Sequence, residues 1–251
     1  MLDGVTLTNE IAVITLDGHR FSGPKHSHTQ AQLLYAVSGT ISITTEIGTW
    51  IVPPSRAVWI PAGIEHETSS FAGIRFRSLL IETTATKELP DECMVVEVTP
   101  LLRELILKLV DFAENPGSHD RTDAAIRLAL SELSFQVAQP LSLPTPGHSG
   151  LARLCARIRL DPARTVSIEE ATDALHMSRA TFMRLFKRQT GMSFARWQQQ
   201  ARILTALVLL AEGGSILEVA LECGYNSPSA FSAMFRRALG KPPSAYFHTM
   251  G

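Results

Sequence analysis

The sequence predicts a two-domain α+β protein. An amino-terminal β-barrel with following helices, residues 1–148, leads into an all-α domain, residues 149–251, built on two tandem helix-turn-helix units. Three observations predict it. Glycines and prolines punctuate short β-branched runs through residue 98. A stretch rich in Pro and Gly (Pro140, Pro144, Pro146 and Gly147) reads as a linker and sets the boundary near residue 148. Residues 171–197 recur as residues 220–246 at an offset of 49.

The strands come first. Apolar or β-branched runs at 11–16, 32–37, 40–45, 49–52, 58–60 and 74–81 are separated by Gly39, Gly48, Pro53, Pro54, Pro61 and Gly63. Thr40-Ile41-Ser42-Ile43-Thr44 alternates with period two, so one face is buried and the other wet. Many short strands at regular spacing point to a barrel or a sandwich.

Helical periodicity follows. Thr99-Pro100 opens a helix carrying Leu101, Leu102, Leu105, Ile106, Leu109 and Val110, and Asn115-Pro116-Gly117 ends it. A second helix is expected over 123–137. Leu102, Leu105, Ile106 and Leu109 make an apolar stripe that either covers the barrel or meets a second chain in a homodimer. Beyond the linker, helices are expected at 149–160, 167–175, 179–188, 194–211, 215–222, 228–238 and 243–247.

Charge separates the halves. The formal net charge of −1 conceals −7 for residues 1–148 (10 Lys/Arg, 17 Asp/Glu) and +6 for residues 149–251 (13 Lys/Arg, 7 Asp/Glu). Three distant cysteines, Cys93, Cys155 and Cys223, give no disulfide framework and read as apolar fillers in a reducing cytoplasm. Residues 1–10 lack a secretory plan, and no apolar run reaches membrane-spanning length, so no membrane partner is expected.

The repeat has a mechanical reading. Ala171 and Ala220 are small where a second helix must approach. Ser178 and Ser227 can cap the next helix. Phe182 with Phe186, and Phe231 with Phe235, lie four apart on inward faces. Gly191 and Gly240 stop those helices, and Trp197 matches Tyr246. A longer helix with Phe194, Trp197, Ala201, Leu204 and Val208 on one face acts as a spacer. Held about 34 Å apart, the two capped helices meet successive major grooves of double-stranded DNA.

Their outward positions are the candidate DNA-binding residues. They are Arg179, Ala180, Met183, Arg184, Lys187 and Arg188 in the first unit, and Pro228, Ser229, Ser232, Ala233, Arg236 and Arg237 in the second. An arginine at 179 or 184 suits either a guanine edge or a phosphate.

The stretch from Ala220 to Pro243, with Gly224, Tyr225, Ser227, Phe231, Phe235, Gly240 and Pro242 in place, resembles the second-unit signature of the AraC/XylS family of bacterial transcription regulators. Gly191 to Trp197 resembles the end of its first unit, although Leu175 stands where that unit often has glycine. The resemblance spans residues 165–248. It implies promoter binding and control of transcription, as repressor or activator, in response to a small-molecule effector, with the transcription machinery as a further partner.

A second motif lies in the front domain. His26 and His28 share one side of an extended segment, and Gln32 and His66 can converge on them from neighbouring strands. Three imidazoles and an oxygen donor suit a divalent metal such as Zn, Ni, Fe or Mn; the same residues equally suit a polar effector pocket. The pattern resembles the two motifs of cupin domains, with Gln32 where Glu is usual and Ser70 where Asn is common. The regulator subgroup with paired histidines implies control of transport or efflux genes. The alternative is a metal-dependent cupin enzyme fused to a DNA-binding module, with Glu65, Glu67 or Tyr35 as base. The DNA module supplies a sufficient role without catalysis, so no enzyme is expected.

Overall fold

The structure is a computed structural model that describes residues 5–246 except 9, 20, 55, 71–72, 116–117 and 136–140. Its contacts divide the chain into two units, Met1–Thr45 with Val52–Ala138, and Glu46–Ile51 with Gln139–Gly251.

In the first unit, β1 (Val5–Thr6), β2 (Ile11–Gly18), β4 (Ala31–Ser38), β7 (Arg56–Ile60), β9 (Ile74–Ile81) and β10 (Met94–Glu97) form one antiparallel sheet. Its order is β1-β2-β9-β4-β7-β10. β4 sits inside it, with Leu33 opposite Leu79 on one side and Trp59 on the other. A bulge at Val37 shifts its register against β9 between Ala36 and Ser38. A second sheet contains β5 (Ile41–Thr45), β8 (His66–Ser70) and β3 (Phe21–Ser22), in that order. Phe21 of β3 meets Phe76 of β9 edge-on, ring centroids 6.0 Å apart, so the two sheets face each other.

The helices cover the other face. α1 (Pro100–Glu114) starts where the Thr99 side chain accepts from the Leu102 amide, with proline in its first turn. Leu102, Ile106, Leu109 and Val110 bury themselves with Ile11, Val13, Leu33, Tyr35, Leu79 and Ile81. α2 (His119–Ser131) adds Ile126 and Ala129 to that core. Alternation explains the layering: residues 31, 33 and 35 face the helices, whereas Gln32, Leu34 and Ala36 are buried on the opposite side.

One expectation needs correction, and one open alternative is decided. The cupin-like β-barrel is not formed, because the sheets do not close on each other. Among the described residues, the larger sheet ends at β1 and β10, each paired on one side only. A barrel needs continuous pairing around a tilted ring, and edge strands of two residues, such as β1 and β3, are too short to complete one. The unit is two facing sheets with helices on one outer side. Second, the α1 stripe is consumed internally: Leu102, Ile106 and Leu109 have no exposure left for a second chain, and the half-buried Leu105 packs on the same core. α2 also begins and ends earlier than the expected 123–137; Ser118 takes the cap position, and residues 136–137 lie outside the described region.

The second unit contains a ribbon and helices. β11 (Ser142–Pro144) pairs antiparallel with β6 (Gly48–Val52), Leu143 opposite Thr49. The helices are α3 (Ser149–Leu160), α4 (Ile168–Leu175), α5 (Arg179–Thr190), α6 (Phe194–Ala211), α7 (Ile216–Glu222), α8 (Pro228–Leu239) and α9 (Pro243–Tyr246). The segment read as a linker is therefore partly a strand. Leu141, Leu143 and Pro146 are buried, the Trp197 indole donates to the Pro144 carbonyl at 2.9 Å, and Gln200 donates to the Ser142 carbonyl. Pro140 lies outside the described residues.

α6 organises this unit. The buried Gln198 amide bonds both backbone groups of Val166, accepting from its N–H and donating to its C=O, each at 3.0 Å. Arg202 donates to the Pro162 carbonyl at 2.8 Å and to the Thr165 hydroxyl at 2.5 Å. Both residues hold the loop that enters α4. Gln198→Leu keeps much of the volume and strands two buried backbone groups, each worth about 1–3 kcal/mol. A loss of roughly 2–4 kcal/mol in denaturant unfolding is expected; a variant as stable as the parent would show that Val166 finds other partners.

Candidate nucleic-acid interface and histidine cluster

Each helix-turn-helix is built from its caps outward. In the first, the Ser167 side chain accepts from the Glu170 amide to start α4, and Ser178 accepts from Thr181 at 3.2 Å to start α5. Ala171 is fully buried, which lets α5 approach closely. Gly191, at φ 73°, closes α5. In the second, Ser215 and Glu218 form a reciprocal capping box, Ser227 accepts from Ala230 at 3.2 Å, and Gly240, at φ 80°, closes α8.

The turns differ. In the second unit, Gly224 takes the left-handed conformation at φ 76°. In the first, that conformation falls on His176, φ 51°, one residue beyond the position matching Gly224. Leu175 therefore stays helical, and the absent glycine moves the turn by one residue without removing it.

The inward faces are aromatic. Phe182, Phe186, Phe231 and Phe235 have no exposed surface. Phe186 stacks among Phe182, Phe194 and Trp197 at 5.8, 5.2 and 6.1 Å. Phe235 lies 5.4 Å from Tyr246 and 5.7 Å from Phe231.

With those rings fixed inward, helical geometry decides what faces out. On α5, Arg179, Ala180, Met183, Arg184, Lys187 and Arg188 are all exposed, and the helix carries no acid. Arg179 is engaged by Glu169 of α4, whereas no ion pair among the described residues involves Arg184, Lys187 or Arg188. On α8, Ser229, Ala233, Arg236 and Arg237 are exposed, while Pro228 and Ser232 are half-buried. The units are unequal: cations run along all of α5 but occupy only the last turn of α8.

The histidine cluster lies in the first unit. One ring nitrogen from each of His26, His28 and His66 falls within 4.8 Å of the others. His26 and His66 are held opposite each other by reciprocal backbone bonds of 3.0 and 2.8 Å. The Gly63 amide donates to the His28 carbonyl at 2.9 Å. Gln32 joins the group, its Oε1 lying 3.1 Å from His28 Nε2 and its Nε2 donating to Ser78 Oγ at 2.8 Å. His66 is fully buried, and the other two histidines are half-buried. Burial pushes the His66 pKa down to about 4, with His26 and His28 adding smaller repulsion, so the ring is neutral at physiological pH.

The residues weighed as a catalytic base point elsewhere. Glu65 and Glu67 flank His66 on the strand's exposed side, and Glu65 pairs with Lys25. Tyr35 lies in the core beneath α1, on the side of β4 opposite Gln32. The thiols are held protonated: burial pushes Cys93 up to about 11, and Cys155 and Cys223 up to about 12.

Residues 10–137 match the family model of the AraC-like ligand binding domain, and residues 171–249 match that of a helix-turn-helix domain. The HTH-type transcriptional regulator NimR of Escherichia coli (strain K12) is 34% identical over 225 residues, covering 90% of this chain and 82% of NimR. The thermoregulatory protein LcrF of Yersinia pestis is 28% identical over 228 residues, covering 89% of this chain and 82% of LcrF. Among solved structures, ToxT from Vibrio cholerae O395 aligns with a TM-score of 0.40 and 13% identity, covering 95% of this chain and 96% of ToxT.

Proposed function

Because this chain belongs to the AraC/XylS family of helix-turn-helix transcription regulators, we propose that α5 and α8 are the elements that enter the major groove of promoter DNA. The family membership makes the chain a sequence-specific DNA-binding regulator and not an enzyme. The observation that carries the groove assignment is the pair of identically capped helices whose aromatic faces are buried and whose cations face out. The proposed contacts are Arg179, Ala180, Met183, Arg184, Lys187 and Arg188 in one groove, and Pro228, Ser229, Ser232, Ala233, Arg236 and Arg237 in the next.

In this reading residues 149–251 bind DNA, and residues 1–148 receive a small effector and contribute to a homodimer in the cytoplasm. Among the described residues no helix is long and apolar enough to cross a membrane. The resemblance of the paired-histidine segment favours a transport or efflux gene as the target. The unequal charge of the two helices assigns the stronger grip to α5.

Genome-wide mapping of sites bound by the full chain, followed by binding to the mapped fragments across salt concentrations, tests this. The logarithm of affinity should fall linearly with that of salt, by about 0.9 per neutralised phosphate. Affinity for mapped fragments that does not respond to salt overturns the proposal. Arg184→Ala should cost about 1–3 kcal/mol on a mapped site. A loss confined to the mapped sequence makes Arg184 a base reader; an equal loss on scrambled DNA, with the salt slope reduced by about 1, makes it a phosphate contact.

A further inference from the structure

We propose that His26, His28 and His66, together with the amide oxygen of Gln32, form a binding site for one divalent transition-metal ion.

The hydrogen bonds around the rings carry the argument. His26 Nδ1 lies 2.8 Å from the Pro24 carbonyl, His28 Nδ1 2.6 Å from that of Gln30, and His66 Nδ1 2.9 Å from that of Ile64. A carbonyl oxygen only accepts, so each Nδ1 carries a proton and donates it. In the neutral ring that leaves Nε2 with a lone pair and no hydrogen. All three rings are thus locked by the backbone into the tautomer of a metal ligand, the role a second layer of carbonyls plays around bound metals.

One buried atom then lacks a partner unless a cation supplies it, and a second ligand atom lies beside the same space. His66 Nε2 is buried and has no hydrogen-bond partner, and a buried acceptor left unpaired is costly. His28 Nε2 faces Gln32 Oε1 at 3.1 Å. Gln32 spends its amide donor on Ser78, which turns its Oε1 toward the same space as the His28 ring nitrogen. That separation suits neighbouring ligands of a single ion whose bonds are about 2.1 Å long. Loading draws the rings slightly inward, because nitrogens bound to one such ion lie no more than about 4 Å apart.

The site is built on paired backbone. The reciprocal His26–His66 bonds and the Gly63–His28 bond fix three Cα positions before any ion arrives. The half-buried His26 and His28 leave a route in from solvent. Three imidazoles and one neutral oxygen suit a borderline ion of the Zn, Fe or Ni type better than Mg or Ca, which prefer all-oxygen shells. Although the site lies in the unit assigned to sensing, its occupancy does not depend on DNA binding.

The test uses the full chain without an affinity tag, stripped with chelator and titrated with Zn(II) against a chromophoric competitor. Cobalt(II) absorption provides a second readout. One ion per chain is expected. His28→Ala and His66→Ala should each weaken binding by roughly a hundredfold or more, and Gln32→Ala by roughly tenfold. Gln32→Glu, which supplies a carboxylate, should tighten it. Zn(II) should raise the melting temperature of the parent and not of His28→Ala. Circular dichroism confirms that each variant is folded; the half-buried His28 keeps the test valid if His66→Ala is not. A parent that retains no ion, or a stoichiometric ion whose affinity is unchanged in both His28→Ala and Gln32→Ala, overturns the proposal. DNA affinity measured on the same samples keeps the two readings apart: its loss alone counts against the groove assignment and not against the metal.

Discussion

Phe186→Ala is expected to destabilise the helix-turn-helix unit by about 3–5 kcal/mol, a large part of the roughly 5–15 kcal/mol that holds a typical domain together. The reason is position. Phe186 is fully buried at the junction of Phe182, Phe194 and Trp197, so it joins α5 to the start of α6. Removing the ring leaves a cavity between two helices that each hold other contacts and cannot both collapse into it. Denaturant unfolding should show a lower midpoint with an unchanged slope, and DNA affinity should fall with the folded fraction. Phe186→Leu, which keeps most of the volume, should lose much less, about 1.5 kcal/mol. Equal stability of the alanine variant and the parent would falsify the packing account.

The second large effect is at Gly224. Its φ of 76° is strained for any residue with a side chain, by about 1–2 kcal/mol. In addition, a Cβ there would come within 2.4 Å of the Ala163 carbonyl oxygen, which is backbone and cannot swing aside. Gly224→Ala should therefore cost roughly 3 kcal/mol or more, because the turn of the second unit must move away from the loop before α4. Gly240→Ala is the matched control: its φ is 80°, but nothing lies within 4 Å of the added carbon. The difference between the two variants measures the overlap alone. If both lose the same amount, strain explains everything and the close approach carries no energy.

The carboxy-terminal unit was legible in residue order because its determinants are local. A serine, two phenylalanines four apart and a glycine define start, buried face and stop within one helix, and α5 and α8 follow that pattern. The first turn also obeyed a local rule, shifted by one residue to His176. The amino-terminal unit was read in pieces. The alternation in β5 is visible in sequence, yet closure of a sheet depends on which edges meet, and two-residue edges such as β3 are too short to carry a periodic signal. β11 was hidden by its prolines; the alternation of Leu141 and Leu143 was the available sign, and its partner β6 lies about ninety residues earlier. The stripe on α1 was apparent, but periodicity shows only that a face is apolar, not what covers it. In the histidine cluster the residue types were legible, whereas the carbonyls that fix each ring were not, because they belong to Pro24, Gln30 and Ile64, whose side chains give no hint of the role.

One consequence follows from the brace on α6. Gln198 and Arg202 fasten the loop that enters α4 in the first unit, and Ala163 of that same loop abuts Gly224 in the turn of the second. On the proposed groove assignment, the two units then act as the braced jaws of a caliper. An operator must match its gap, so inserting about five base pairs between the two recognition elements, half a helical repeat, turns one of them to the far side of the duplex and should abolish joint engagement. In the proposed homodimer, a differently spaced promoter would then be met by changing the separation between the two copies.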